Sequence, residues 1–325
     1  MSLVADFARS VHENEPVKRE RPLVPLEFSS AVEKLHDIRA VIFDVYGTLV
    51  DYWRHEFSDK DAKERFLLKA FNKTATRFSL ASFLKKMNPE HPPELTLRDL
   101  YHGLIALKHE QGKEKGIEYP EVQIENIWMI MIMMLKRYGF QPETLELGND
   151  RELARCMAFY YNYHVLGRGL FPGVVECCKA LRKQNVILGI LSNAQFYTPI
   201  DLTLFIRDQS SGEFDDYNEL FDLDFCFFSY SDGIAKPGKH MFEKLFAIFK
   251  AYQILPSQAI FAGNDLLLDI KTAQDLGMQT AFFTGDRECA FVRNLGSIVQ
   301  PDLSISSWDD FPPRVSFYEE KGSQV

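Results

Sequence analysis

Short apolar runs occur in two parts of the chain, and a long stretch with a helical pattern separates them. The first run, RAVIFDV (39–45), has the pattern of a strand buried on both faces of a parallel sheet. After residue 166, helical stretches predicted near 173–184, 239–252 and 267–277 alternate with further apolar runs. Those runs are VILGILSN (186–193), DFCFFSY (224–230), AIFAGND (259–265), QTAFFTG (279–285) and the weaker DLSIS (302–306). This alternation predicts a doubly wound, Rossmann-like α/β fold with a parallel sheet.

Residues 52–165 follow the period of amphipathic helices and contain no convincing strand. Four helices are predicted there from their capping signals, and they start at Ser58, Thr96, Pro120 and Asn149 or Asp150. An insertion after the first strand is expected over the carboxyl edge of the sheet, where such folds place their sites. The predicted organisation is a lead at 1–38, an α/β core at 39–51 and 166–325, and an inserted helical unit at 52–165.

Two polar segments carry weaker expectations. The lead is predicted to be partly helical near SSAVEKLHDI (29–38). The segment 201–220 is predicted to be a solvated loop with a short helix, and a flap or an interface element is the alternative.

Composition narrows the classes of partner. The chain has 37 Lys and Arg against 46 Asp and Glu, a net charge of −9, and no long basic block, so a nucleic-acid partner is not expected. The longest apolar run, 127–135, is shorter than the roughly 20 residues that span a bilayer, so no membrane partner is expected either. The N-terminus lacks the pattern of a signal peptide, and the five cysteines lack a metal-ligand spacing. These features predict a cytoplasmic protein, and they leave its oligomeric state open.

Polar side chains follow several of the predicted strands. Asp44 ends the first strand, and Gly47 and Thr48 come next, where backbone N–H groups can form an anion cradle. Ser192 and Asn193 end the second strand and can hold an oxyanion. Each feature alone is common in turns and helix caps, so the argument depends on their joint order.

Two further motifs complete that order. Lys236 in GIAKPGKHMF supplies a positive charge, and Asp265 and Asp269 in GNDLLLD supply two carboxylates. With DVYGTLVD and LSN, these motifs resemble those of the haloacid dehalogenase superfamily of hydrolases, over roughly residues 39–310. The resemblance also implies that the helical insertion is a cap domain.

The resemblance assigns a role to each residue. It implies that Asp44 is the nucleophile, and that water hydrolyses the covalent aspartyl intermediate it forms. Ser192 and Lys236 would bind the anion, while Asp265 and Asp269 would hold a magnesium ion or orient Lys236. The implied substrate is a small anionic molecule.

Tyr46 departs from the pattern of the family's phosphatases, which have a second Asp at this position. That acid protonates the leaving group and activates water, and general acid help is typically worth about 10²–10⁴ in rate. A phenol, with a pKa of about 10, cannot act as a carboxylate base at neutral pH. A halide leaves without a proton, and the 2-haloacid dehalogenases also have Tyr here, so this motif favours a dehalogenase.

The fourth motif favours a metal-dependent phosphatase instead. Asp44, Asp265 and Asp269 against Lys236 leave a formal charge of −2, which a magnesium ion would balance. The expected ligands are Asp44, Asp265 and the backbone carbonyl of Tyr46, with waters completing an octahedron. However, Asn264 stands where many members have the metal-binding Asp. Asp265 must therefore take that role, or it points into the following helix.

Two other positions weaken the dehalogenase interpretation. Phe242 stands six residues after Lys236, where those enzymes are expected to have Tyr. Only Arg54 and Arg77 are candidates for the cap arginine that would bind a haloacid carboxylate.

The sequence therefore predicts magnesium-dependent hydrolysis of a small phosphorylated metabolite. A metal-independent dehalogenase-like hydrolase and a catalytically impaired binding or regulatory protein are the alternatives. In a phosphatase, the missing acid would come from the cap, from water or from the substrate, or the leaving group would be good.

Overall fold

The chain divides into two compact units, and the computed structural model describes residues 2–17, 21–52 and 60–318, without the side chains of 60–63. The helical unit comprises Met1–Glu20 and Trp53–Arg168, and the α/β unit comprises Arg21–Tyr52 and Gly169–Val325. The first twenty residues group with the helical unit, whereas the sequence predicts a separate lead up to residue 38.

The helical unit contains six α-helices within the described residues. They are α1 (Leu3–Asn14), α2 (Lys60–Arg77), α3 (Ala81–Met87), α4 (Pro93–Glu114), α5 (Ile124–Lys136) and α6 (Asp150–Val165). The first predicted helix is divided into α2 and α3, with Ser79 in the left-handed region at φ +56° between them. Its predicted cap, Ser58, lies outside the described residues. Asn149 is confirmed as the N-cap of α6, because its side chain accepts from two backbone N–H groups of the first turn.

The N-terminal segment differs from its prediction. The helix lies at α1 rather than at 29–38, which contains the strand Leu35–Ile38. Val4, Phe7 and Val11 recur every three or four residues along α1 and are buried, since α1 packs on α6. A hydrophobic face at helical spacing thus outweighs the polar composition of this segment.

The α/β unit has five further helices around its strands. The helices are α7 (Val174–Arg182), α8 (Thr198–Gln209), α9 (Ser229–Asp232), α10 (His240–Ala251) and α11 (Thr272–Asp275), with a π-helix at Leu266–Lys271. The short helix predicted within 201–220 is present as the larger part of α8, but Leu202, Phe205 and Ile206 on it are buried, so this half of the segment is not solvated as predicted. No helix in the described ranges is both long and apolar enough to cross a membrane.

The predicted parallel sheet is confirmed. The strands are β1 (Leu35–Ile38), β2 (Ala40–Phe43), β3 (Val50–Tyr52), β4 (Arg168–Leu170), β5 (Ile187–Ser192), β6 (Cys226–Phe228), β7 (Ala259–Gly263), β8 (Gln279–Phe283), β9 (Leu303–Ile305) and β10 (Val315–Phe317). Six of them form one sheet in the order β6-β5-β2-β7-β8-β9, and every pairing in it is parallel. All four residues of β2 are fully buried, as the continuous apolar run predicts. β1 and β10 form a separate parallel pair.

Candidate active site

Three neighbouring strands bring the predicted site residues to one edge of the sheet. β2 lies between β5 and β7, and Phe43 pairs with Ile190 on one side and with Ala262 on the other. Asp44 follows β2, and its backbone N–H donates to the Ala262 carbonyl at 2.8 Å. Ser192 ends β5, and the GND turn follows β7. The carboxyl ends of these parallel strands therefore meet around Asp44.

The ammonium group of Lys236 joins two of the predicted carboxylates. Its Nζ donates to Asp44 Oδ1 at 2.7 Å, to Asp269 Oδ1 at 2.6 Å and to the Leu191 carbonyl at 3.3 Å. The side chain of Lys236 is 2% exposed, and that of Asp44 is 9% exposed. Three acceptors match the three ammonium protons, so this buried cation is fully hydrogen-bonded.

Burial and charge act in opposite directions on this cluster. Burial acts to lower the pKa of Lys236, but the carboxylates of Asp269 and Asp44 raise it more, and the net shift is upward. Burial has the largest effect on Asp269 and raises its pKa to about 7, although Lys236 acts to lower it. Lys236 therefore remains an ammonium at neutral pH and holds Asp44 in one orientation.

Asn193 positions the backbone of Lys236. Its Oδ1 accepts from the Lys236 N–H at 2.7 Å, and its Nδ2 donates to the Lys236 carbonyl at 3.2 Å. The peptide bond between Lys236 and Pro237 is cis. Ser192 is fully buried, and its Oγ lies 3.5 Å from the Asn193 carbonyl, at the outer limit of a hydrogen bond. Anion binding by Ser192 stays a prediction, whereas the Asn193 amide is occupied by Lys236.

The turn after Asp44 uses its peptide N–H groups internally. The Gly47 N–H donates to the Val50 carbonyl at 2.7 Å, and the Thr48 N–H donates to the Val45 carbonyl at 3.2 Å. Gly47 and Thr48 therefore do not form the predicted anion cradle in this structure. The Thr48 hydroxyl instead donates to Asn264 Oδ1 at 3.1 Å and ties the turn to the end of β7.

Replacing Gly47 with Ala is expected to lower the free energy of unfolding by about 2–5 kcal/mol. Gly47 has φ +89°, which costs an L-residue about 1–2 kcal/mol, and a Cβ there would lie 2.1 Å from Asn264 Nδ2. Asn264 cannot retreat easily, since its Nδ2 donates to the Cys289 carbonyl at 2.6 Å. Gly212 is the matched control, with φ +82° and nothing within 4 Å of an added Cβ. Equal losses for the two variants in chemical denaturation would contradict this account of Gly47.

Asp265 caps a helix and pairs with an arginine. Its Oδ1 accepts from the N–H groups of Leu267 and Leu268 at 2.9 and 3.0 Å, in the first turn of the π-helix. Arg293 Nη2 donates to Asp265 Oδ2 at 2.6 Å, and Arg293 Nε lies 3.0 Å from Oδ1. The sequence leaves open whether this acid binds metal or points into the helix, and the structure shows the second arrangement.

Arg293 also changes the charge of the site. Asp44, Asp265 and Asp269 against Lys236 alone leave a formal charge of −2, and the guanidinium of Arg293 brings it to −1. The prediction of a metal ion rested on the larger formal charge of −2. Nothing in the order of motifs indicates Arg293, because it lies outside all four of them.

The Asp265 cap can be tested by its effect on stability. Asp265→Ala is expected to lower the free energy of unfolding by about 1–2 kcal/mol, because the helix loses its cap and Arg293 loses its partner. Asp275→Ala is the control, since this exposed residue only pairs with Lys271 along a helix, and its loss should stay within about 0.5 kcal/mol. Similar small losses in both variants would show that the cap contributes little.

The hydroxyl group of Tyr46 is hydrogen-bonded to two side chains of α8. Its Oη lies 2.9 Å from Thr198 Oγ1 and 3.2 Å from Asp201 Oδ2, and the phenol can donate to that carboxylate. Thr198 and Asp201 are 0% and 1% exposed. Sequence reasoning missed both residues, although the Thr-Pro pair at 198–199 with Asp201 in the first turn is a helix-start signal.

A second group of buried acids lies in the same unit. Ligand atoms of Asp51, Asp286 and Cys289 all lie within 4.8 Å of one another and are of types that could hold a metal ion. Arg21 already donates to both oxygens of Asp286, at 3.0 and 2.7 Å. That guanidinium supplies positive charge at the place where a cation would bind.

The two candidate cap arginines remain without an observed role in substrate binding. Arg54 lies outside the described residues. The guanidinium of Arg77 lies 5.8 Å from the ring centroid of Phe7, within the helical unit. Phe242 is fully buried in the α/β core, where its ring packs 5.4 Å from that of Phe261.

The chain is similar to known hydrolases. Residues 38–277 match the family model described as haloacid dehalogenase-like hydrolase. Glyceraldehyde 3-phosphate phosphatase of Pyrococcus furiosus is 26% identical over 199 residues, which cover 58% of this chain and 73% of that protein.

Solved structures show similarity over most of the chain. A HAD phosphatase from Thermococcus onnurineus has a TM-score of 0.43 and 15% identity, and the matched region covers 84% of this chain and 95% of that protein. A 2-haloacid dehalogenase from Pseudomonas syringae has a TM-score of 0.45 and 17% identity, and the matched region covers 85% of this chain and 97% of that protein. At these scores, the similarity carries no information about the substrate.

Proposed function

The chain belongs to the haloacid dehalogenase-like hydrolase family, and on that premise we propose that Asp44 attacks a small anionic substrate and forms a covalent aspartyl intermediate. One observation carries the proposal: the Asp44 carboxylate, at the end of a buried strand, is held by Lys236 at 2.7 Å. This contact fixes one oxygen and leaves Oδ2 as the proposed attacking atom. A preoriented carboxylate of this kind is what covalent catalysis requires.

Lys236 and Asp269 support the nucleophile in this scheme. When Asp44 forms its bond to the substrate, the Lys236 ammonium offsets the negative charge that the substrate brings into the site. Asp269 keeps Lys236 in place, and its Oδ2 accepts from the N–H groups of Asn264 and Asp265 at 3.1 and 3.0 Å. The end of β7 is thereby tied to the nucleophile through a single ammonium group.

The proposed reaction is hydrolysis of a phosphate ester or an acyl phosphate of a small metabolite. The phosphatase from Pyrococcus furiosus supports this class, because its name describes a phosphorylated substrate. Phe242 is a second support, since dehalogenases of the family are expected to have Tyr there. The helical unit is proposed to be the cap that selects the substrate.

The predicted magnesium ligands do not fit together in this structure. Both oxygens of Asp265 are engaged by Arg293 and by the helix N-terminus, and the Asn264 amide is engaged by Thr48 and Cys289. Magnesium is usually held by one or two carboxylates with waters completing its octahedron, and with Asp265 engaged the predicted set retains one carboxylate, that of Asp44. The proposed chemistry therefore uses Asp44 and Lys236 alone, and a metal requirement is left to experiment.

A metal-independent, dehalogenase-like displacement is the second candidate. Two observations favour it: Tyr46 occupies the position of the second acid, and Arg293 neutralises the acid predicted to bind metal. A halide needs no proton when it leaves, so this chemistry does not need Tyr46 to act as a general acid.

A panel of substrates separates the candidates. Phosphate release from p-nitrophenyl phosphate and acetyl phosphate, and chloride release from 2-chloropropionate, are measured with magnesium and with EDTA. The proposed function predicts phosphate release without chloride release. Chloride release alone would establish the second candidate. Neither product, and no vanadate bound, would favour the alternative of a binding or regulatory protein.

A further inference from the structure

A cleft of about 420 Å³ opens at the amino-terminal edge of the main sheet, at the ends of β2 and β5 that lie away from Asp44 and Ser192. Arg39 precedes β2, and the Ile187 N–H at the start of β5 donates to the Arg39 carbonyl at 2.9 Å. The described residues that line the cleft are Ile38, Arg39, Gln184, Asn185, Ile187 and Tyr318. A strand rises about 3.3 Å per residue, so Arg39 and Asp44 lie roughly 16 Å apart, and the cleft is separate from the candidate active site.

Arg39 supplies the charge of this cleft. The described lining carries this cation and no acid, in a chain whose net charge is −9. Arg39 Nη1 donates to the Gln253 carbonyl at 2.6 Å, and Nη2 lies 3.5 Å from the Tyr252 carbonyl, at the outer limit of a hydrogen bond. Within the described residues these carbonyls are its hydrogen-bond acceptors, and a guanidinium has five N–H donors. Most of the donors therefore remain for a ligand, and their fork geometry matches a carboxylate or a phosphate.

The other walls of the cleft add amides, an aromatic ring and apolar surface. Gln184 and Asn185 are exposed, and their side-chain amides have no hydrogen-bond partner in the described part of the chain. The ring centroid of Tyr318 lies 5.2 Å from the Arg39 guanidinium, and the Tyr318 N–H donates to the Ile38 carbonyl at 3.0 Å. The two isoleucines supply the apolar surface. Small-molecule sites combine apolar surface with a few converging polar groups, in volumes of about 300–1,000 Å³, and the cleft has this composition.

We propose that this cleft binds a small organic anion in which a carboxylate or a phosphate is joined to a flat apolar body. The anionic group binds the Arg39 guanidinium, which can donate two parallel hydrogen bonds to it. The flat body packs against the Tyr318 ring, and polar groups on its edge bind the amides of Gln184 and Asn185. The site does not involve Asp44, so it binds its ligand whether or not the proposed hydrolysis takes place.

Isothermal titration calorimetry with three probes tests the class of ligand. Benzoate and phenylphosphonate carry the two anionic groups on the same ring, and acetate carries the carboxylate without a ring. The full-length protein should bind at least one ring probe with a dissociation constant of about 1 mM or lower, and acetate about tenfold more weakly. The tighter ring probe identifies the preferred anionic group. No binding of either ring probe at millimolar concentration, or equal affinity for acetate, would overturn the proposal.

Variants of the lining show where the probe binds. Arg39→Met should weaken binding by about 10–100-fold, because charge-assisted hydrogen bonds are lost, while turnover of p-nitrophenyl phosphate stays at the wild-type rate. Asn185→Gly removes one amide but tolerates the left-handed backbone at φ +58°, and it should weaken binding by about 2–10-fold. Lys183→Met removes an exposed positive charge outside the lining and is the matched control, with affinity close to that of the wild type.

Circular dichroism establishes that each variant is folded before its affinity is compared. Wild-type affinity in folded Arg39→Met would overturn the proposal, because the probe would then bind elsewhere. Equal losses in Arg39→Met and Lys183→Met would also overturn it, since the probe would respond only to net charge. If Arg39→Met fails to fold, unchanged affinity in Asn185→Gly is the contradicting result. A wild-type protein that binds the probe but hydrolyses no substrate would contradict the proposed function and support the cleft as a separate site.

Discussion

Replacing Asp44 with Asn is expected to reduce product release by about 10⁴–10⁶-fold while the fold is retained. An amide is not a nucleophile toward phosphorus or carbon, and removal of a nucleophile from a covalent mechanism costs most of the catalysed rate. The Asn side chain still offers an oxygen to Lys236, so the 2.7 Å contact at the sheet edge can persist. The measurement is steady-state turnover of the best substrate from the panel, with circular dichroism to confirm folding.

Asp310→Asn is the matched control for this variant. Asp310 is an exposed acid of the same unit and lies far along the chain from every predicted motif. It should retain wild-type turnover. If Asp44→Asn kept more than about a tenth of the wild-type rate, Asp44 would not be the nucleophile, and catalysis would have to be sought elsewhere in the molecule.

Replacing Lys236 with Met is expected to cause the largest loss of stability among these variants, about 3–5 kcal/mol of unfolding free energy. The change removes the cation shared by Asp44 and Asp269 and leaves two buried carboxylates without their partner. The same variant should lose turnover, because the nucleophile loses its orientation. Chemical denaturation and steady-state kinetics measure the two effects separately.

Two further variants give this prediction its controls. Lys239→Met changes an exposed lysine three residues away and should stay within about 0.5 kcal/mol of the wild type. The double variant Lys236→Met with Asp269→Asn should lose less stability than the sum of the losses in the two single variants. The reason is that Asp269→Asn removes one of the two carboxylates that repel each other once Lys236 is gone. Strict additivity would contradict the shared ammonium that the structure shows.

Much of the fold follows from local patterns. The six strands of the main sheet coincide with six apolar runs, because a strand buried on both faces must be apolar at every position. Once the strands are parallel, their carboxyl ends meet, and Asp44 reaches Lys236 across nearly two hundred residues of chain. The nearness of these two groups was therefore predictable without coordinates.

The partners of each site residue were not predictable in the same way. Arg293 and Asp201 contact Asp265 and Tyr46, but they lie outside the motifs, and no periodicity marks a single long-range contact. The peptide groups of Gly47 show a related limit. Glycine at position 47 indicates that the backbone comes close to another group. That group is the side chain of Asn264, and its identity depends on tertiary packing.

The N-terminal segment shows how composition misleads. Seven of the first twenty residues are Asp, Glu, Lys or Arg, yet Val4, Phe7, Ala8 and Val11 form a buried stripe along α1. Spacing decides the outcome, since four apolar residues on one face are enough for a helix to pack.

The most direct test of the account is to identify the covalent intermediate. The wild-type protein is mixed with acetyl phosphate or p-nitrophenyl phosphate, quenched in acid within milliseconds, digested and mapped by mass spectrometry. The account predicts a phosphoryl group on the peptide that contains Asp44, and none in Asp44→Asn. Turnover of the same substrates with no modified Asp44 peptide at any quench time would contradict it.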